Sequence, residues 1–98
     1  MSTSAAFSTF ILDQFHMLDD IKLRPMMGEY LLYYRGVLVG GLYDNRLLLK
    51  NTTSLDSYHL PQALPYPSAK QPMLFVEDVD NAEKIAELIT LAYSNLKK

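Results

Sequence analysis

Between Met26 and Lys50 the chain reads MMGEYLLYYRGVLVGGLYDNRLLLK, three apolar runs joined by Arg35-Gly36 and Asp44-Asn45. Each joint is two residues long and uses types that accept positive φ. That pattern predicts a three-strand antiparallel meander with tight hairpin turns. A tight turn sets which residues lie opposite one another, and the strand period of two then sets which side chains share a face.

Helical spacings bracket the meander. Phe7, Phe10, Ile11, Phe15 and Leu18 recur every three or four residues, so a first helix is expected from about Ser4 to Leu18, with Ser4 as N-cap. Residues 1–4 are expected to be disordered up to that cap. Lys22 to Met26 reads as a short strand held to a sheet edge by Pro25, and Gly28 lets the chain turn or bulge after it. Asn51 to Gln71 is broken by Pro61, Pro65 and Pro67 and can hold only a helical turn near Leu55 to Leu60. Pro72 to Glu77 reads as a further strand. Asp80 and Glu83 form a capping pair for a last helix that aligns Ile85, Leu88, Ile89, Ala92, Tyr93 and Leu96, with Lys97 and Lys98 near its negative end. The order predicts one α+β domain over residues 1–98: a two-layer sandwich in which an antiparallel sheet of about five strands carries both helices on one face.

Strict alternation from the two turns sorts the meander into two faces. Leu31, Tyr33, Leu38, Gly40, Leu42, Leu47 and Leu49 fall on one, expected beneath the helices. Tyr30, Leu32, Tyr34, Val37, Val39, Gly41, Tyr43 and Leu48 fall on the other with Arg46 and Lys50. A solvated sheet face should be polar. This second face is too apolar and aromatic, so a covering is expected: a protein partner, a second copy of the chain, or the Asn51–Gln71 segment. Tyr30, Leu32, Tyr34, Val39 and Tyr43 are the expected contact residues, oriented by Arg46 and Lys50. Tyr43→Glu is expected to cost partner binding and spare the fold.

Chemistry is thinly signalled. There is no cysteine, which removes disulfides, thiolate metal sites and thiol catalysis. His16 and His59 stand in different segments, and the Asp13, Asp19 and Asp20 carboxylates near His16 read as a solvated helix end. No metal, cofactor or catalytic residue is expected. Nine basic residues against eleven acidic give a formal charge of −2, which speaks against broad nucleic-acid binding. No apolar run approaches the roughly 18–20 residues of a membrane span, and no signal-peptide pattern opens the chain. A cytoplasmic protein is the expectation.

The run Arg24-Pro-Met-Met-Gly-Glu-Tyr, then Leu-Tyr-Tyr-Arg-Gly, Asp44-Asn45, Leu49-Lys50 and Tyr66-Pro-Ser-Ala-Lys-Gln-Pro-Met resembles the N-terminal domain of the TfoX/Sxy family of bacterial competence regulators. The likeness covers about residues 20–96. Arg24, Met26, Gly28, Glu29, Tyr30, Tyr34, Gly36, Asp44, Leu49, Lys50, Tyr66, Pro67, Ala69, Lys70 and Pro72 sit on the family pattern. Met27, Leu32 and Ser68 depart from it. The resemblance implies an α+β fold like that of type III secretion chaperones, without the C-terminal helical domain of full-length regulators. It also implies a transcriptional co-activator that works through protein contacts, since the family's regulators act with the cyclic-AMP receptor protein. A rival expectation, from another class, is a small-molecule binder or minor enzyme in which Glu29, Arg24, Tyr66 and Lys70 converge on an anionic ligand.

Overall fold

Three two-residue turns build the sheet, each with positive φ at both positions: Met27 and Gly28 (51° and 86°), Arg35 and Gly36 (51° and 80°), Asp44 and Asn45 (54° and 58°). This is the turn geometry whose twist matches paired antiparallel strands. In the computed structural model, which describes residues 2–97, helix α1 (Ala5–Gln14) leads into β1 (Ile21–Met26), β2 (Glu29–Tyr34), β3 (Val37–Leu42) and β4 (Leu47–Leu49). A 3-10 helix (Thr53–Tyr58), β5 (Gln62–Ala63), β6 (Met73–Val76) and α2 (Ala82–Leu96) follow. The strands form one antiparallel sheet in the order β1-β2-β3-β4-β6-β5.

The α+β class with terminal helices is as expected, with six strands instead of about five. The extra one is β5, two residues caught between Pro61 and Pro65, too short for any periodicity to mark it. Pro25 lies on the edge strand β1, where a missing donor is tolerated.

One local feature overturns the expected faces. Leu32 pairs with Gly40 and Tyr33 with Leu38, so Val39 has no partner on β2. This bulge adds one residue to β3 and shifts its alternation between the two turns. Tyr34 still faces Val37, but Leu32 now shares a side with Gly40, Leu42, Leu47 and Leu49. Leu32, Val39, Leu42, Leu47 and Leu49 are fully buried, and Tyr34 is 4% exposed. They form one core with Ile11 and Phe15 from the α1 end and Ile85, Leu88, Ile89 and Ala92 from α2. Burying each large aliphatic chain contributes roughly 1.5–3 kcal/mol, so α2 is the stronger clamp on the sheet. Tyr34 also meets Tyr93 of α2 edge-to-face, with centroids 5.2 Å apart.

The helix ends differ in detail. Ser4 caps α1 as expected, its hydroxyl accepting the Phe7 N–H at 3.1 Å. The helix stops at Gln14, and Phe15 and Leu18 continue it only as turns. Thr3 and Ser4 are tied to the turns: Thr3 is buried and its N–H donates to the Gly28 carbonyl at 2.9 Å, and the Ser4 N–H donates to Asn45 Oδ1 at 2.9 Å. Met1, also expected to be disordered, lies outside the described residues. At α2 the cap is Asn81, accepting the Lys84 N–H at 3.1 Å, so the frame falls one residue after the Asp80–Glu83 pair. Asn caps as well as Asp, and the sequence does not separate the two. Lys97 is the C-cap, and Lys98 lies outside the described residues. The helical turn also starts earlier than expected, because it follows Thr52 directly and ends in His59 at φ 52°.

Candidate functional site

The bulge gives the outer face of the sheet a new set of residues. Lys22 pairs with Tyr33 and Arg24 with Leu31, and Gly41 stands between Leu31 and Leu48. Leu48 pairs with Phe75 on β6. Lys22, Arg24, Leu31, Tyr33, Leu38, Leu48, Lys50, Met73 and Phe75 therefore point away from the helices. Leu31, Tyr33, Leu38, Met73 and Phe75 are half-buried, and Lys22 and Arg24 are exposed. Beside them the Met27 turn residue is 96% exposed.

Most of the expected contact residues are elsewhere. Leu32, Tyr34 and Val39 are in the core, and Tyr30 packs against it. They cannot form an open contact surface. Tyr43 keeps the outer parity but is 8% exposed, its ring lying against Gly41. A Tyr43→Glu change would therefore disturb packing as well as any surface. Arg46 is engaged within the molecule: Nε donates to the Tyr43 carbonyl at 3.1 Å, and Nη2 to the Leu64 and Pro65 carbonyls at 3.0 and 3.4 Å. Of the seven, only Lys50 stays on the open face with its charged group uncommitted among the described residues. Leu31, Tyr33 and Leu38, assigned to the helix side by strict alternation, replace the others. The Gly40-Gly41 pair was the available signal, since glycine inside a strand marks a bulge or a close backbone approach.

The segment 64–72 arches over one end of this face. β5 and β6 pair at its base, Arg46 holds its first two carbonyls, and the Ala69 N–H closes a turn on the Tyr66 carbonyl at 3.0 Å. Tyr43 and Leu48 are buried there, outside the main core. Covering by the chain itself thus accounts for one end of the face, and Leu31 and Tyr33 lie beyond it. Between strap and sheet runs a cleft of about 680 Å³ lined by Leu38, Tyr43, Lys50, Asn51, Tyr66, Ser68, Lys70, Gln71 and Met73 among others.

The four groups expected to converge on an anion are divided. Arg24 lines a separate hollow of about 530 Å³ with Lys22, Tyr33, Arg35 and Asp20. Lys70 stands in the strap cleft with Tyr66. Glu29 shares a smaller hollow with Met26, Met27, Tyr43, Tyr66 and Pro67. Its carboxylate accepts the Thr3 hydroxyl at 2.7 Å and the Asp44 N–H at 3.2 Å, a structural commitment. Gly28 serves the turn at φ 86°.

The charge around the cleft is uneven. The Tyr43 hydroxyl is pushed up in pKa by burial, with Tyr66 and the Glu29 charge adding to the shift, so the Tyr43 end disfavours negative charge and the attraction for an anion comes from Lys50 and Lys70. Ion pairs among the described residues join Arg35 to Asp19 and Lys84 to Asp78, leaving Lys50 and Lys70 without one. No group of three or more His, Asp or Glu side chains within metal-binding reach occurs among the described residues. No helix of the described residues is long and apolar enough to cross a membrane.

No family model and no solved structure matches the chain. Over 98 residues it is 33% identical to the uncharacterized 12.7 kDa protein in the trpE 5' region of Spirochaeta aurantia, a match spanning 98% of this chain and 85% of that protein. A match that runs through both helices and every strand embraces the whole fold, and the chain belongs to the family of that spirochaete protein.

Proposed function

We propose that this chain is a non-enzymatic binding module, a cytoplasmic regulator of the competence type that acts through a protein partner laid on the open sheet face. The observation that carries this reading is the apolar strip of Leu31, Tyr33 and Leu38, half-exposed on a sheet side with no helix over it. Lys22 and Arg24 border the strip, and Met27 extends it at the turn. Aromatic and methionine side chains ringed by cations are the composition of a protein contact surface. The resemblance to the TfoX N-terminal domain supplies the regulatory part of the reading.

The test is an affinity pull-down from the source cell's extract, using the native chain beside Tyr33→Glu. A charge at this half-exposed position would remain hydrated in the free protein but be desolvated beneath a partner. Recovery of transcription machinery by the native chain alone is the expected result. Recovery of only the chain itself, lost in the variant, would make the strip a homodimer surface. Equal recovery by both would remove the strip from the function.

A further inference from the structure

Beyond the protein-contact reading, we propose that the strap cleft binds a small organic anion, a carboxylate or phosphate carried on a flat apolar body. Lys50 and Lys70 take the charge, and Tyr66 lies along the body.

Five features combine there. At about 680 Å³ the cleft has the size of a small-molecule site. Its outer wall is set before any ligand arrives, because Arg46 holds the strap's leading carbonyls and β5 pairs with β6 at its base. A preformed wall lowers the ordering cost of binding. The lining contains two lysines and no carboxylate, in a chain whose acidic residues outnumber its basic ones. Neither lysine is ion-paired among the described residues, so an incoming anion displaces no internal partner. Leu38 and Met73 provide the apolar floor, and Tyr66, 49% exposed, offers a ring face to a planar group.

The neighbouring hollow around Lys22 and Arg24 is a poorer candidate. It includes Asp20, and its Arg35 is already paired with Asp19 at 3.1 Å.

Two naphthalene dyes separate charge recognition from apolar adsorption: anilinonaphthalene sulfonate, an anion, and phenylnaphthylamine, its uncharged relative. Fluorescence titration of the full chain should show the sulfonate binding, and binding should weaken as salt is added. Lys50→Gln and Lys70→Gln should each weaken it by about fivefold, the size of one partly screened charge contact, and the double variant by more. Lys84→Gln, on α2 and away from both the cleft and the open sheet face, should leave it unchanged. Phenylnaphthylamine should bind the native and double-variant proteins equally, which also reports an intact cleft. Failure of the native chain to bind the sulfonate overturns the proposal. So does equal sulfonate binding by native and double variant, or parallel loss of the neutral dye.

Discussion

The Thr3 hydroxyl donates to Glu29 Oε1 at 2.7 Å, tying the amino-terminal arm to the start of β2 across 26 positions of sequence. Both oxygens of the same carboxylate lie 3.2 Å from the Asp44 N–H, and Thr3 Oγ1 accepts the Asn45 N–H at 3.3 Å. Glu29 thus joins the arm to the β3–β4 turn. Glu29→Ala should cost roughly 1–3 kcal/mol, the range for hydrogen bonds to a charged group and a donor left unpaired. Urea denaturation measures the loss. Amide exchange should quicken at Asp44 and Asn45 and stay slow in α2. Unchanged exchange at those two amides would show that the carboxylate does not hold the turn.

The glycines of β3 have separate jobs. A Cβ on Gly41 would lie 2.5 Å from the Tyr30 carbonyl oxygen and 2.7 Å from Tyr43 Cε2. A Cβ on Gly40 would strike the Leu48 carbonyl oxygen and approach Leu49 Cα to 2.9 Å, both backbone atoms of β4. Gly36 has open space around it but a φ of 80°. Gly36→Ala should therefore cost about 1 kcal/mol through backbone strain alone. Gly41→Ala should cost about 1–3 kcal/mol, with displacement of the Tyr43 ring. Gly40→Ala should be the worst of the three, because its Cβ comes closest and all of its nearest neighbours are backbone atoms of β4. Melting temperatures of the three variants test this order.

Those glycines also explain what the sequence could and could not reveal. Both turn joints were legible, since Arg35-Gly36 and Asp44-Asn45 accept positive φ and the pairs Tyr34–Val37 and Tyr43–Arg46 follow from them. The bulge at Val39 was not legible in the alternation, because LLYY and VLVGGLY are apolar at both parities, and only the Gly40-Gly41 pair pointed to it. One extra residue then exchanged Leu32 and Tyr34 with Leu31 and Tyr33 between core and surface. In the strap cleft, Lys70 and Tyr66 stood out in the sequence through their shared motif. Lys50 joins them only because the strap folds back over the sheet.

Met27 combines two unfavourable traits: it is 96% exposed and occupies φ 51° in the β1–β2 turn. Asparagine visits that left-handed region at lower cost, and Asn-Gly is a preferred pair for such a turn. Met27→Asn should stabilise the chain by roughly 0.5–1 kcal/mol, since it removes strain and buries nothing less. If Met27 belongs to the contact surface, the same variant should bind the partner more weakly while melting at a higher temperature. Thermal melts beside the pull-down distinguish this from a general loss of fold.

The start of α2 offers a comparison of neighbours. Asn81 Oδ1 accepts the Lys84 N–H, and Asp80 lies one position outside the cap. Asn81→Ala should cost about 0.5–2 kcal/mol, the usual loss for a cap. Asp80→Ala should change stability by no more than about 0.5 kcal/mol, as for a surface site without a specific partner. A larger loss at Asp80 in chemical denaturation would return the cap to the earlier frame.

Stability should fall at both ends of the pH scale through one cluster. The Arg35 guanidinium donates to Asp19 at 3.1 to 3.3 Å and holds its carboxyl below the usual range, and the Tyr34 hydroxyl adds a bond at 3.2 Å. A carboxyl depressed in the folded state stabilises above its unfolded pKa of about 3.9, and that contribution disappears as pH falls through the lower folded value. The pair is exposed, so the effect should be small and should shrink in salt. Tyr34 titrates the other way: burial first, and then the Asp19 carboxylate, push its hydroxyl above the ordinary value. The unfolded chain then loses that proton first, so stability should decline as pH rises past about 10. Tyr43, also raised by burial, contributes to the same alkaline limb. Urea midpoints across pH should show Asp19→Asn flattening the acid limb below about pH 4 and also softening the alkaline limb, since its carboxylate helps to raise Tyr34. Tyr34→Phe should reduce the alkaline limb without abolishing it, because Tyr43 remains. An alkaline limb unchanged in Tyr34→Phe would assign that slope to other groups.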